Sequence, residues 1–197
     1  MTRTRYFYDT EFVEDGRTID LISIGIVCED GRELYRVVNS GATISRAVQH
    51  PWLRKHVVPS LPIKLLATAS GWDWAPAHLD FPCVATRSEV AEDVRKFLTA
   101  TPTCELWAWY GSYDHVALSQ LWGRMVDHPN GIPMWTNDLR QECHRLGDPQ
   151  MPTQESGEHN ALADARHDRV MAEFLDGYFP PPSSVTSGVM YGDTATS

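Results

Sequence analysis

Cysteine is scarce in this 197-residue chain, with four copies only, and Cys28, Cys83, Cys104 and Cys143 form neither a C-x-x-C pair nor a Cys/His cluster with zinc spacing. That argues against a disulfide scaffold or a zinc module and leaves reduced, mostly buried thiols. Long apolar runs are missing as well. None approaches the ~20 residues that a transmembrane helix needs, so no membrane partner is expected. Positive charge is in the minority, with 17 Lys and Arg against 26 Asp and Glu and a formal charge of −9. Wrapping duplex nucleic acid non-specifically depends on neutralising phosphates, which this balance disfavours. A small, locally basic cleft that takes one strand end is still compatible with it. No internal repeat is visible. A strand that begins within the first ten residues leaves no room for a signal peptide, so a soluble, cytoplasmic chain is expected.

What is present suffices for one core: 42% hydrophobic residues, with seven Trp, seven Tyr and six Phe. The length fits one domain, or one domain with an appendage. Residues 6–9, 20–28 and 33–38 read as strands, the last two joined by a turn in which Gly31 is available for positive φ. Residues 52–58 suggest a helix ended by Pro59 and Pro62. Residues 70–82, with Trp72 and Trp74, read as a structured loop, because the aromatics want burial. Thr86 and Glu89 form a capping box for a helix that ends near Ala100, its apolar face carried by Val90, Val94, Phe97 and Leu98. Residues 105–109 give another strand. Val116, Leu118, Leu121, Trp122 and Met125 recur at helical spacing after Asp114, residues 136–146 predict a short helix stopped by Gly147, and residues 160–175 predict the last helix. Residues 180–197 are poor in core-forming side chains and read as a disordered tail. The order β-β-β-α-β-α-α predicts an α/β domain over residues 1–179, in which an antiparallel hairpin extends a partly parallel sheet flanked by helices.

Chemistry concentrates in three places. Asp9 and Glu11 stand one residue apart in an aromatic-flanked strand, so both carboxylates point to one face. With unperturbed values near ~4 both are expected to be ionised at neutral pH, and they repel unless a cation sits between them. Taken alone, two solvated acids on a strand edge would be the better reading. Asp114 opens a helix after strand 105–109, where, taken alone, a capping role is the better reading by roughly three to one. Ligands in open α/β sheets nevertheless sit at such strand ends and helix N-termini. His159 and Asp164 can face one site if His159 lies in the loop before the last helix and Asp164 on its second turn. Ala161, Ala163 and Ala165 between and beside them allow close approach.

The pattern D-x-E, then D after a central strand, then H-x4-D, is far more specific than any part. In it the chain resembles the DEDDh 3′–5′ exonucleases, which have a ribonuclease H-like fold. Asp9 and Glu11 match the first motif, Asp114 the second, and His159 with Asp164 the third. The wording of residues 6–12, 20–25 and 105–122 is similar to the polyadenylate-specific exoribonuclease AS group and less close to ribonuclease T and oligoribonuclease. The resemblance spans about residues 5–175, except that residues 65–85 look like an inserted or divergent loop.

The resemblance implies two Mg²⁺ ions, replaceable by Mn²⁺, held by Asp9, Glu11, Asp114 and Asp164, whose combined formal charge two divalent cations would offset. His159 would be the general base, and Asp9 the ligand least open to replacement. The implied substrate is the 3′ end of single-stranded RNA, the product a nucleoside 5′-monophosphate, and the assembly a homodimer. Thr10 and Phe12 would seat the terminal nucleotide, although Phe12 fits a plain core position equally well. Of Trp107, Trp109, Tyr110 and Tyr113 some are core and one or two, Trp109 and Tyr113 foremost, are candidates for stacking on bases. Arg140, Arg145, Arg166 and Arg169 are candidate phosphate contacts that a solvated helix face would explain equally well. RNA is chosen over DNA on the resemblance, since that choice turns on contacts to a 2′-OH. A preference for adenylate runs has the same basis. The alternatives are a DNA exonuclease of the proofreading or repair type and a non-catalytic nucleic-acid-binding module of the same fold.

Overall fold

The computed structural model describes residues 3–68 and 70–179. The tail assigned to residues 180–197 lies outside the described residues. Strand β1 (Thr4–Glu14) runs antiparallel to β2 (Ile19–Cys28), and β2 antiparallel to β3 (Glu33–Val38). Gly31 takes the positive φ that the second of these turns requires. On the other side of β1, β7 (Cys104–Ala108) pairs parallel. Two short strands, β6 (Val84–Ala85) and β8 (Asn137–Asp138), complete a six-stranded mixed sheet in the order β6-β3-β2-β1-β7-β8. With helices on both faces this is the ribonuclease H-like α/β arrangement.

Alternation along β1 divides the interior. Tyr6 and Tyr8 point to one face, where they meet Val90, Val94 and Leu98 of α3 (Arg87–Leu98) and Leu118 of α4 (Ser112–Ser119). Phe7 and Val13 point to the other. There Phe7 packs with α5 (Leu139–Arg145) and α6 (Ala161–Asp176), and Val13 with α1 (Gly41–Gln49) and α2 (Pro51–His56). Each large apolar side chain buried this way contributes about 1.5–3 kcal/mol. The charged residues of β1 must therefore be explained by what they face.

Local signals account for most element boundaries. Thr86 and Glu89 complete the reciprocal capping box of α3. Asn160 caps α6 by accepting from the Ala163 N–H. Several elements depart from the sequence reading. The helix after Asp114 ends at Ser119 and tightens into a 3₁₀ turn, Gln120–Trp122, because Gly123 adopts φ 88° and turns the chain. Residues 137–138 join the sheet edge beside β7 before Asp138 caps α5, so the helix starts later than its pattern suggests. Residues 63–65 and 72–74 form a small antiparallel hairpin, β4 (Ile63–Leu65) and β5 (Trp72–Trp74), whose tryptophans pack under α1 and α2. Among the described residues no helix is long and apolar enough to cross a membrane.

Candidate active site

Asp9 and Glu11 lie on the face of β1 that carries α6, opposite Gly25 and Ser23 of β2. Just beyond Glu11, β2 carries an extra residue at Ile22, a bulge that shifts the register between Glu11 and Phe12. Asp114, in the first turn of α4, comes to the same strand from the other side. The Thr10 N–H and hydroxyl donate to Asp114 Oδ1 at 2.9 and 2.6 Å. Thr10, placed by resemblance at the substrate, lines a cleft and also holds the Asp114 carboxylate.

The third motif is folded tightly on itself. His159 adopts the left-handed region at φ 65°, which lets its own N–H donate to Asp164 Oδ2 at 2.9 Å. Its carbonyl accepts from the Ser60 hydroxyl at 3.0 Å. Gln154 donates to the other Asp164 oxygen at 2.7 Å. The His159 ring is flanked by Trp52 and His56 of α2, with centroids 4.9 and 5.4 Å away and both contacts edge-on. Trp52 and His56 are four residues apart on one helix face and stack on each other at 4.9 Å.

Two clefts meet over these residues. One, of about 410 Å³, runs from Asp9, Glu11 and Phe12 to His50, Trp52 and Leu53. The other, of about 530 Å³, runs from Trp109 to Gln154, His167 and Asp168. Asp9, His159 and Asp164 line both. Phe12 is backed by Tyr113, their rings stacked at 6.2 Å, while Trp109 borders the second cleft. Four of the five motif residues, Asp9, Glu11, His159 and Asp164, thus line one cleft, while Asp114 lines neither and stands behind Thr10. Arg140, Arg145, Arg166 and Arg169, by contrast, are each paired with a carboxylate: Asp148, Glu142, Glu33 and Glu173 respectively.

Without a cation between them, the acids of the site stand above the ordinary carboxylate range. Burial raises Glu11 to about 8, helped by repulsion from Asp164 and Asp114. Asp9 is pushed well up, first by exclusion of water and then by Asp114, Glu11, Asp164 and Asp168. Burial takes Asp114 to about 6 against the opposing hydrogen bonds from Thr10. Asp164 is raised by burial, less so because Gln154 and His159 donate to it. Among the described residues no lysine or arginine lines either cleft to relieve this crowding.

Such a donor set fits a hard divalent cation. All four acids offer oxygen, and ligand atoms of Glu11, His159 and Asp164 lie within 4.8 Å of one another. Asp9 stands beside that trio, and Asp114 acts on it from behind Thr10. The sequence reading missed Gln154, Trp52, His56 and Asp168. Asp168 is buried, accepts from the Trp109 N–H at 3.1 Å, and has its pKa raised well above the usual range by burial. Its spacing of four from Asp164 on one helix was the available signal.

A family model described as the 3′-5′ exoribonuclease Rv2179c-like domain matches residues 64–175. That match includes Asp114, His159 and Asp164, and also the β4–β5 hairpin apart from Ile63. Two proteins of Mycobacterium tuberculosis are similar over 164 residues at 46% identity, covering 82% of this chain and 87% of theirs. They are the 3′-5′ exoribonuclease MT2234.1 of strain CDC 1551 and the 3′-5′ exoribonuclease Rv2179c of strain H37Rv. With a fold, a carboxylate cleft and relatives of this extent in agreement, the chain belongs to the Rv2179c-like 3′-5′ exoribonuclease family.

Proposed function

We propose that this chain removes nucleotides one at a time from the 3′ end of single-stranded RNA, as a DEDDh-type hydrolase that depends on divalent cations. One observation carries the reading: Asp9, Glu11, His159 and Asp164 line one cleft, Asp114 reaches the same strand through its hydrogen bonds with Thr10, and among the described residues no lysine or arginine lines that cleft. Asp9, Glu11, Asp114 and Asp164 would hold two Mg²⁺ or Mn²⁺ ions, which supply Lewis-acid stabilisation to the attacking and leaving oxygens of an in-line phosphoryl displacement.

The chain's own groups do the rest. His159, flanked by Trp52 and His56 and fixed at its backbone by Asp164 and Ser60, accepts the proton of the attacking water. Thr10 fixes the Asp114 carboxylate through two hydrogen bonds. Phe12, backed by Tyr113, and Trp52 stand on the walls of a cleft whose 410 Å³ suits one terminal nucleotide. Stacking of this kind tolerates any base and contributes about 1–3 kcal/mol. The products are nucleoside 5′-monophosphates. A leaning toward adenylate-rich ends and a homodimer rest on the family resemblance, and a cytoplasmic location is proposed with them.

The test is digestion of homopolymeric RNA and DNA oligomers labelled at the 5′ end, with Mg²⁺ or with EDTA. The expected result is a ladder that shortens from the 3′ end, faster for RNA, and stops in EDTA. Faster loss of DNA would move the assignment to a DNA exonuclease. Tight binding of RNA ends with no released monophosphate would favour a non-catalytic module.

A further inference from the structure

Resting on the exonuclease reading, we propose that Asp168 is a positioning residue, which holds the end of β7 by accepting the Trp109 N–H and so places the turn that delivers Asp114. The route is short and covalent. Trp109 is the first residue past the strand, and its amide donates to Asp168 Oδ2 at 3.1 Å. Tyr110 follows at φ 54°, then Gly111, where an added Cβ would meet Thr136 Cγ2 at 2.8 Å and Ala108 Cβ at 3.0 Å. The reversal is therefore tight. Helix α4 begins at once, without a side-chain cap at its N-terminus, and Asp114 lies in its first turn. Asp168 is thus a side-chain tether between α6, which carries Asp164, and the segment that carries Asp114. It is only 4% exposed.

The competing role is that of an additional cation ligand, since Asp168 lines the second cleft with Asp9 and Asp164. The two roles differ in what they require. A tether needs an acceptor at the Oδ2 position; a ligand needs charge. Asp168→Asn keeps the acceptor without the charge, and Asp168→Leu keeps the volume with neither. Both can be compared with the unaltered chain for kcat and KM on a 5′-labelled RNA oligomer, and for Mn²⁺ affinity from the spin-resonance signal of free Mn²⁺. Thermal melting reports folding.

The tether predicts that Asp168→Asn stays within about threefold of the parent in kcat and in Mn²⁺ affinity. Asp168→Leu should lose up to about 10²-fold in kcat with KM little changed, the scale expected of a small misplacement. Equal losses in Asn and Leu variants, with weaker Mn²⁺ binding in both, would overturn the tether in favour of a ligand. Full activity of Asp168→Leu would also overturn it. Should Asp168→Leu fail to fold, the Asn variant decides by itself, since loss of its Mn²⁺ affinity contradicts a tether and retention supports one. A parent chain that releases no monophosphate would remove the functional reading and this role together. An active parent with indistinguishable Asn and Leu variants removes this role alone.

Discussion

Gly25 of β2 lies directly beneath Ala161, the first residue of α6. A Cβ built on Gly25 would come within 2.3 Å of the Ala161 carbonyl carbon and oxygen. The same glycine is the strand partner of Asp9. The missing side chain therefore sets how near the segment carrying His159 and Asp164 comes to the first two acids.

Gly25→Ala should accordingly affect both fold and activity. The clashing atoms are backbone, so relief requires α6 to lift from the sheet. Overpacking of this kind costs about 1–3 kcal/mol, and a larger penalty is expected where no side chain can yield. A melting curve should show the loss, and RNA digestion should fall much further than stability does. Unchanged turnover in a folded Gly25→Ala variant would contradict the spacing argument.

Removing a carboxylate should separate stability from function. Asp9→Asn relieves repulsion at the group that faces four other acids, and in EDTA it should raise Tm by about 2–4 °C for each kcal/mol relieved. RNA hydrolysis should drop by orders of magnitude in the same variant. Divalent cations should raise the Tm of the parent more than that of Asp9→Asn. A lower Tm in EDTA for Asp9→Asn would count against a strained acidic cluster.

The pH dependence follows from the same crowding. Glu11 at about 8 and Asp114 at about 6 both stand above the ordinary range near ~4. A carboxyl whose pKa is higher in the folded than in the unfolded chain contributes fully below the unfolded value. That contribution is lost as pH rises through the folded value. Without cations, stability should fall between about pH 5 and pH 8, by a few kcal/mol in total. Surface acids such as Asp30 and Glu92, lowered to about 2 by Arg32 and Arg95, act below that window. Thermal melts in EDTA across pH 5–8 should show the decline, and saturating Mg²⁺ should flatten it. A Tm that rises steadily over this range in EDTA would contradict it.

The elements around Asp9, Glu11 and Asp114 were legible in the sequence because each rests on a local signal. Strand alternation put Asp9 and Glu11 on one face, and helix spacing placed α3 and α6 to within about a turn. The reach of His159 back to Asp164 was legible as a loop-then-helix arrangement. Its left-handed backbone was not, since a single His is only weakly biased toward that region. Also invisible was α2 as the wall behind His159: Trp52 and His56 are far from the third motif in sequence, and only the tertiary fold joins them. Residues 41–49 carried no clear pattern, yet a Ser40 cap and burial of Ile44, Ala47 and Val48 make them α1. The raised acid pKa values follow from burial that no motif reports.

Trp52 offers a check on that wall. Trp52→Ala removes the edge contact to His159 and one side of the cleft. It should raise KM for RNA and lower kcat, because stacking and the ring's orientation are both lost. Base stacking alone predicts about 5- to 150-fold in kcat/KM from its ~1–3 kcal/mol. Kinetics indistinguishable from the parent would show that α2 takes no part in substrate handling.

The most direct measurement is anomalous scattering from a crystal of the chain soaked in Mn²⁺. Two peaks about 3.5–4 Å apart are expected, bordered by Asp9, Glu11, Asp114 and Asp164. No peak among these carboxylates at saturating Mn²⁺, or peaks only elsewhere on the surface, would contradict the account.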